Sequence, residues 1–369
     1  MEQKKQVLIV GPTDLNGRAV GGIGSLLSAI FDNQEMFFKF GYEVSPFNTC
    51  LVKRDSNGAG KFNFKNVINF LKLRQKLKKT CKNNNFCVVD IHSSVGNGLL
   101  KDLLLAKRIR KIVPKIVFHI HSSDPGVIFP HNSFLRKFVL KTIRNCCDAI
   151  VLLSSSIKSE LVSNGIDSDK CFVIPNFVSI SVSKDQILKK IEVRQASNSL
   201  NLIYLGAIYK EKGVFDLLTS LEKISIPYKM RICGSPVSEK DKKTLVSFCE
   251  KNKNIEFLGF VSGTKKYDVL LDSDVMILPS YSEGLPMSLI EGITCGCYLL
   301  TTNVGGIPEF FSDAGIIVNP GDCSTISNSI LSIYKNKEKL GKFQMRNYEL
   351  SSRFSKEEFI SSLCSVFSK

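Results

Sequence analysis

No uninterrupted apolar run in this 369-residue sequence approaches the roughly 18–20 residues a membrane-spanning helix needs, so no span is expected. The start, MEQKKQVLIVGP, passes from charged residues straight into a strand pattern, without the apolar core or cleavage site of a signal peptide. Synthesis and residence in the cytoplasm are the expectation. No C-x-x-C pair occurs among the 12 cysteines, and several sit inside apolar runs, as Cys233 does in KMRICG. That is the pattern of buried free thiols in a reducing compartment, not of a zinc site. There is no nucleic-acid-binding motif, and no identifiable aromatic platform for a single strand. Between Lys61 and Lys82 acidic residues are absent altogether, against eight basic ones.

What is present suits a globular α/β protein of two domains, each large enough for its own core. Hydrophobic residues make up 43% and charged residues 23%, ordinary values for such a chain. The net charge of +16 is unevenly placed. Residues 1–180 hold 26 Lys and Arg against 13 Asp and Glu; the remainder holds 24 against 21. The first half is therefore expected to face something anionic, a membrane surface or a lipid diphosphate in the absence of any nucleic-acid motif. The segment 61–82 reads as a basic amphipathic helix, with Phe64, Val67, Ile68 and Leu71 at helical spacing. Its stripe can lie on a sheet with the lysines in water, or the lysines can face lipid headgroups; both can hold at once.

Strand and helix patterns alternate along the chain, as parallel sheets require. QVLIV (6–10) is a first strand, and the glycine-rich loop after it, with Gly21, Gly22 and Gly24, leads into a helix and lets backbone approach a ligand. FCVVDIHSS and KIVFHIHSSD are further strands. His119 and His121, two apart, share a strand face. A metal site would need more ligands, and only His92 and His131 remain, so no metal is expected. Residues 181–199 are polar and charged, and read as a linker. NLIYLGAIYKEKGVFDLL restarts the strand, loop and helix pattern, and KMRICGSP and NIEFLGFV add two strands. Asp272 and Asp274 form D-x-D just before the buried run VMIL (275–278), a position that suits a helix end or loop better than a metal.

The stretch 279–309, PSYSEGLPMSLIEGITCGCYLLTTNVGGIPE, organises the rest. Pro286 is read as a first helical position, and Leu285, Leu289, Ile290 and Ile293 space a short helix. A helix start at the carboxyl edge of a parallel sheet favours an anion. Two carboxylates, Glu283 in the loop and Glu291 about a turn and a half into the helix, flank it. Carboxylates accept hydrogen bonds from hydroxyls, so the set suits a ligand with phosphate in the middle and hydroxyls at both ends, as in a nucleotide sugar.

E-G-L-P-x-x-x-x-E followed by G-C-Y-L-L-T-T-N-V-G-G-I-P-E resembles the donor-site signature of family 4 retaining glycosyltransferases. The resemblance implies the GT-B fold, two Rossmann-like domains facing across a cleft. These would be an acceptor-binding domain at 1–180, a donor-binding domain at 200–345, and a C-terminal helix in 346–369 that crosses back. It implies that Glu283 contacts the donor sugar, that Glu291 holds the ribose hydroxyls, and that the backbone of Gly284 and Leu285 approaches sugar or phosphate. Gly22 would lie near the phosphates, and His121 beside the donor sugar. Gly206, Lys212 and Gly213 resemble the family's G-R-x-x-x-x-K-G, whose Arg and Lys clamp the diphosphate. Ala207 stands where the Arg is expected, and Lys210 or Arg18 is the possible substitute. Phe177 replaces the Gly of the family's P-N-G, and Tyr298 stands where Pro is usual. The implied reaction is metal-independent sugar transfer, with retention, to a hydroxyl of a glycan or lipid-linked acceptor in polysaccharide biosynthesis. The leaving diphosphate would assist removal of the acceptor's proton. An epimerase or phosphorylase on the same fold, or a non-catalytic sugar- or lipid-binding protein, is the alternative.

Overall fold

The computed structural model describes residues 4–13, 21–50, 64–122, 129 and 132–369. The chain divides into two units, Met1–Phe177 with Lys356–Lys369, and Val178–Ser355.

The first unit is built on six parallel strands: β1 (Lys5–Gly11), β2 (Tyr42–Asn48), β3 (Phe86–Ser93), β4 (Lys115–Ile120), β5 (Ala149–Leu152) and β6 (Cys171–Val173). Their order is β2-β1-β3-β4-β5-β6. Strands covered on both faces read as continuous apolar runs, and Val7 to Val10 of β1 are all buried. The covering helices are α1 (Gly21–Asp32), α2 (Glu35–Phe38), α3 (Phe64–Asn83), α4 (Asn97–Ile109), α5 (Ser133–Cys146) and α6 (Ser155–Ser163). Strand order reverses between β1 and β3, the place where open α/β sheets bind ligands at their carboxyl ends.

Helix α3 forms where expected, but on a different phase. Leu73, Leu77 and Cys81 are its buried residues, whereas Ile68 and Leu71 are exposed among the lysines. Ile68 and Leu71 satisfy helical spacing near its start, yet the residues that join the unit's core, Leu73, Leu77 and Cys81, lie on another face of the helix.

The second unit repeats the plan with β7 (Leu200–Leu205), β8 (Tyr228–Cys233), β9 (Ile255–Gly259), β10 (Val275–Leu278), β11 (Tyr298–Thr302) and β12 (Gly315–Val318), in the order β12-β11-β10-β7-β8-β9. Its reversal lies between β7 and β10. Around the sheet run α7 (Lys184–Ala196), α8 (Val214–Leu221), α9 (Glu239–Lys251), α10 (Gly263–Leu271), α11 (Met287–Thr294), α12 (Ile307–Phe311), α13 (Cys323–Lys335) and α14 (Lys337–Leu350).

The stretch 181–199 is not a linker. Most of it is α7, started by a capping box in which Ser183 accepts from the Gln186 N–H and Gln186 accepts from the Ser183 N–H. Its anchors are the fully buried Ile187 and two charged side chains. Lys190 is buried and donates to the carbonyl of Cys295 at 2.6 Å, and Arg194 clamps the fully buried Asp274 through two nitrogens at 2.7–3.1 Å. With Ile187 as its one buried apolar residue and charged side chains for its other anchors, the helix has the composition of a linker.

Tyr298 opens β11 with an N–H that donates to the Asp274 carbonyl at 2.9 Å, a bond proline could not make. The last helix, α15 (Lys356–Ser368), belongs to the first unit. Phe177, fully buried, packs its ring on Phe359 of α15 at 4.7 Å, and Lys115 donates to the carbonyl of Val366 at 2.6 Å. Where Phe177 replaces a glycine, no described non-glycine residue has positive φ, so the ring is accommodated without strain.

Candidate active site

At the carboxyl ends of β7 and β10 two loops meet. The first runs from Gly206 through a 3-10 turn at Lys210–Lys212 to Gly213. Gly213 is left-handed, with φ +67, and a Cβ there would fall 1.9 Å from the carbonyl oxygen of Pro279 in the second loop. Only glycine permits that approach. The Tyr281 N–H donates to the Glu211 carbonyl at 2.9 Å and ties the loops again.

The contact delivers Lys212 to Glu283. Lys212 Nζ donates to Glu283 Oε1 at 2.7 Å, and Ser280 Oγ, wholly buried, donates to the same oxygen at 2.7 Å. Ser280 is itself held by Thr302 of β11, whose hydroxyl donates to its carbonyl at 2.6 Å. From the third side, Gly305 at φ +58 brings its Cα so close that a Cβ would lie 2.0 Å from the Glu283 carbonyl. The Gly306 N–H donates to the Gly284 carbonyl at 3.1 Å. Both side-chain bonds to Glu283 end on Oε1, so Oε2 retains acceptor capacity.

Leu285 is buried, and Pro286 is the N-cap of α11, with ψ 117, rather than its first helical residue. A residue before a helix holds extended geometry, which proline at the N-cap meets as easily as at the first turn. Glu291, about a turn inside α11, is buried and accepts from Lys266 Nζ of α10. Burial raises its pKa above the usual carboxylate value, and Lys266 opposes the shift. The arrangement is thus two Lys–Glu pairs, one on either side of the start of α11.

Gly206 donates its N–H to the Cys233 carbonyl at 3.0 Å, while a Cβ on Gly234 would fall 1.8 Å from the Gly206 carbonyl. Ala207 is exposed, and its carbonyl accepts from Tyr204 Oη at 2.7 Å. Lys210 is exposed on the 3-10 turn, and Arg18 lies outside the described residues. Asp272 and Asp274 are structural: Asp272 pairs with Arg231 and caps α10, and Asp274 is the clamp of α7.

In the first unit the glycines expected in a loop instead open helix α1, and a Cβ on Gly22 would meet no atom within 4 Å. A helix start tolerates glycine as readily as a loop does, so the glycine run alone could not separate the two. His121 follows β4 and donates its N–H to the Ser93 carbonyl at 2.9 Å. Its neighbours include a residue the chain order hid. His92, in register with His119 on the adjacent strand, brings His92, His119 and His121 together with ring nitrogens within 4.8 Å. Burial, then the neighbouring His92, holds His121 well below the usual imidazole range, and His119 is lowered by burial and both other rings. His131 lies outside the described residues.

Residues 185–350 match the family Glycosyl transferases group 1, and residues 48–182 match Glycosyltransferase Family 4. The chain belongs to these glycosyltransferases. Its similarity runs over whole lengths: it is 24% identical over 366 residues to an uncharacterized 41.2 kDa protein in the cps region of Klebsiella pneumoniae, covering 94% of this chain and 96% of the relative. N-acetyl-alpha-D-glucosaminyl L-malate synthase of Bacillus anthracis is 25% identical over 288 residues, 73% of this chain and 70% of that one. Among solved structures, Anabaena HepE in complex with UDP and glucose superposes with a TM-score of 0.71 at 15% identity, covering 99% of both chains. The fold is GT-B.

The glycosyltransferase motif identified Glu283, Glu291 and Lys212 as sequence positions. Ser280 and Lys266 were missed, and His92, weighed only as one of two remaining histidines for a metal, was set aside. Ser280 and Lys266 have no motif of their own, and only the strand register could have pointed to His92.

Proposed function

We propose that this glycosyltransferase moves a sugar, with retention of anomeric configuration, from a nucleoside diphosphate sugar to a hydroxyl of a glycan acceptor in polysaccharide assembly. The observation that carries this reading is Glu283, fixed by Lys212 and Ser280 through one oxygen, beside the start of a helix at the sheet's reversal point. In the proposal Oε2 of Glu283 accepts from the donor sugar. Lys212 sits where it can be shared between that carboxylate and a diphosphate, and Glu291 accepts from the ribose hydroxyls. Backbone of Gly206, Gly284 and Leu285 lines the donor, Gly22 is assigned to its phosphates, and His121 to the transferred sugar. Charge stabilisation falls to Lys212 and the free N–H groups of α11, so no metal is assigned. The leaving diphosphate takes the acceptor proton. Support for the donor class comes from HepE, solved with UDP and glucose, and for the pathway from the relative in a cps region.

The acceptor is assigned as lipid-linked, met at the cytoplasmic face of a membrane. No helix among the described residues is long and apolar enough to cross one. Basic residues do crowd α3 and α4: the like charges of Arg108 and Lys82 push the Lys78 ammonium downward.

The test is incubation with a panel of nucleotide sugars, following donor-dependent release of nucleoside diphosphate and the labelled product. Glu283→Ala is expected to lower kcat by about 10²-fold or more. Near-normal transfer by that variant removes the role given to Glu283. Donor isomerised without transfer, or consumed only with inorganic phosphate, replaces the reading with an epimerase or a phosphorylase.

A further inference from the structure

The imidazoles at the ends of β3 and β4 are ordered by a buried carboxylate. Asp90, on β3 and fully buried, places Oδ2 3.2 Å from His92 Nε2. His92 Nδ1 lies 2.8 Å from His121 Nε2. The rings of His92 and His121 are within 19° of parallel with centroids 5.0 Å apart, which for a 2.8 Å nitrogen contact means they meet edge to edge. His119 stacks on His121 with centroids at 4.4 Å and leans on His92, tilted by 32°, at 4.5 Å, and Phe359 of α15 stacks on His119 from outside. Neither nitrogen of His119 has a partner, so it holds the pair by packing and takes no part in the chain.

We propose that Asp90 and His92 are positioning residues that fix the tautomer of His121, so that its Nδ1 is presented as a hydrogen-bond acceptor to a sugar hydroxyl. A carboxylate offers only lone pairs, so His92 must donate to Asp90 through Nε2–H. A neutral imidazole has one N–H, so His92 Nδ1 is then an acceptor, and His121 Nε2 must donate to it. His121 Nδ1 is left bare. The same order of carboxylate, imidazole and acting group orients the histidine of hydrolytic triads. One metal ion bound by both rings fits worse. Two nitrogens at about 2.0–2.1 Å from a tetrahedral ion are about 3.3 Å apart, and these are closer than that while facing each other along a hydrogen bond.

The use of this acceptor rests on the assignment of His121 to the substrate, whereas the proton order does not, and the test separates them. On the intact protein labelled with 15N-histidine, long-range 1H–15N spectra are expected to show His92 and His121 both protonated at Nε2 and bare at Nδ1. Asp90→Asn is expected to move both rings from that tautomer. In transfer assays Asp90→Asn should lower kcat about 10- to 100-fold with donor KM little changed. His92→Gln, whose amide can donate to Asp90 and accept from His121, should retain several-fold more activity than His92→Leu at equal thermal stability. A purely packing role would not separate those two variants. His121 protonated at Nδ1, or tautomers unmoved by Asp90→Asn, overturns the proposal even if transfer is normal. A stoichiometric bound metal whose removal changes the three histidine signals also overturns it. If the tautomers are as expected but His121→Ala transfers normally, the proton order stands and the assignment of His121 to the substrate falls.

Discussion

Glu283 and Glu291 bear the same functional group in different settings, and the difference decides how each responds to pH. Glu283 is held at one oxygen by a lysine and a hydroxyl. Glu291 is buried within the helix it belongs to, with Lys266 as its charged partner, and its pKa is raised. A raised pKa means that Glu291 takes up its proton at a higher pH than an ordinary carboxylate. As pH falls through that value the carboxylate loses acceptor capacity for a ribose diol. Donor KM is therefore expected to climb on the acid side, starting above the range of a free glutamate. Glu291→Gln should show a high donor KM at every pH and no such limb; initial-rate measurements across pH check both. These carboxylates were legible in the sequence because a short motif carries them. Lys212 was legible too, as a diphosphate clamp, but its pairing with Glu283, 71 residues away, was not, and neither was Lys266, 25 residues from Glu291. An ion pair of that separation is set by which loops the sheet brings together.

Among the elements, strands were the most readable, since a parallel strand covered on both faces is a plain apolar run; β10 is the run VMIL itself. Helices were less so. The register of α3 on its sheet moved the buried stripe to Leu73, Leu77 and Cys81. Helix α7 escaped notice because only Ile187 of its apolar residues is buried and its other anchors are charged. Arg194 and Asp274 are both largely withdrawn from solvent, and Asp274 also accepts from the Asn201 N–H at 2.8 Å. Removing one partner of such a pair leaves a buried charge uncompensated. Asp274→Ala is expected to cost about 3–5 kcal/mol in the unfolding of the second unit, read by urea denaturation. A loss near zero would mean that α7 is held by its apolar contacts alone.

At the scale of the molecule, the two units use different strand orders to the same end. The first reverses between β1 and β3, the second between β7 and β10. Each reversal parts two neighbouring loops at the carboxyl edge and leaves room for a ligand. The first sheet's reversal borders the histidines, and the second's borders the lysine and glutamates. Charge is also a property of this scale, with the excess concentrated in residues 1–180. Flotation with anionic vesicles at low salt is expected to carry the protein, and binding should fall as salt shortens the Debye length to about 8 Å near 0.15 M. Charge reversal at the exposed Lys72, Lys79 and Lys82 should abolish flotation without shifting Tm. Flotation that survives both changes would exclude an electrostatic surface on α3.

The amino-acid order by itself determined the class of fold, the family and the identity of the two glutamates. Apolar periodicity and short motifs are local, and each is complete within a few dozen residues. Tertiary structure alone decided that Lys212 and Ser280 share one oxygen of Glu283, and that Asp90, His92 and His121 stand in line. Those contacts depend on strand register and on glycines that let two backbones touch, as Gly213 does at Pro279. Both are properties of segments distant in the chain, and no window of sequence contains them.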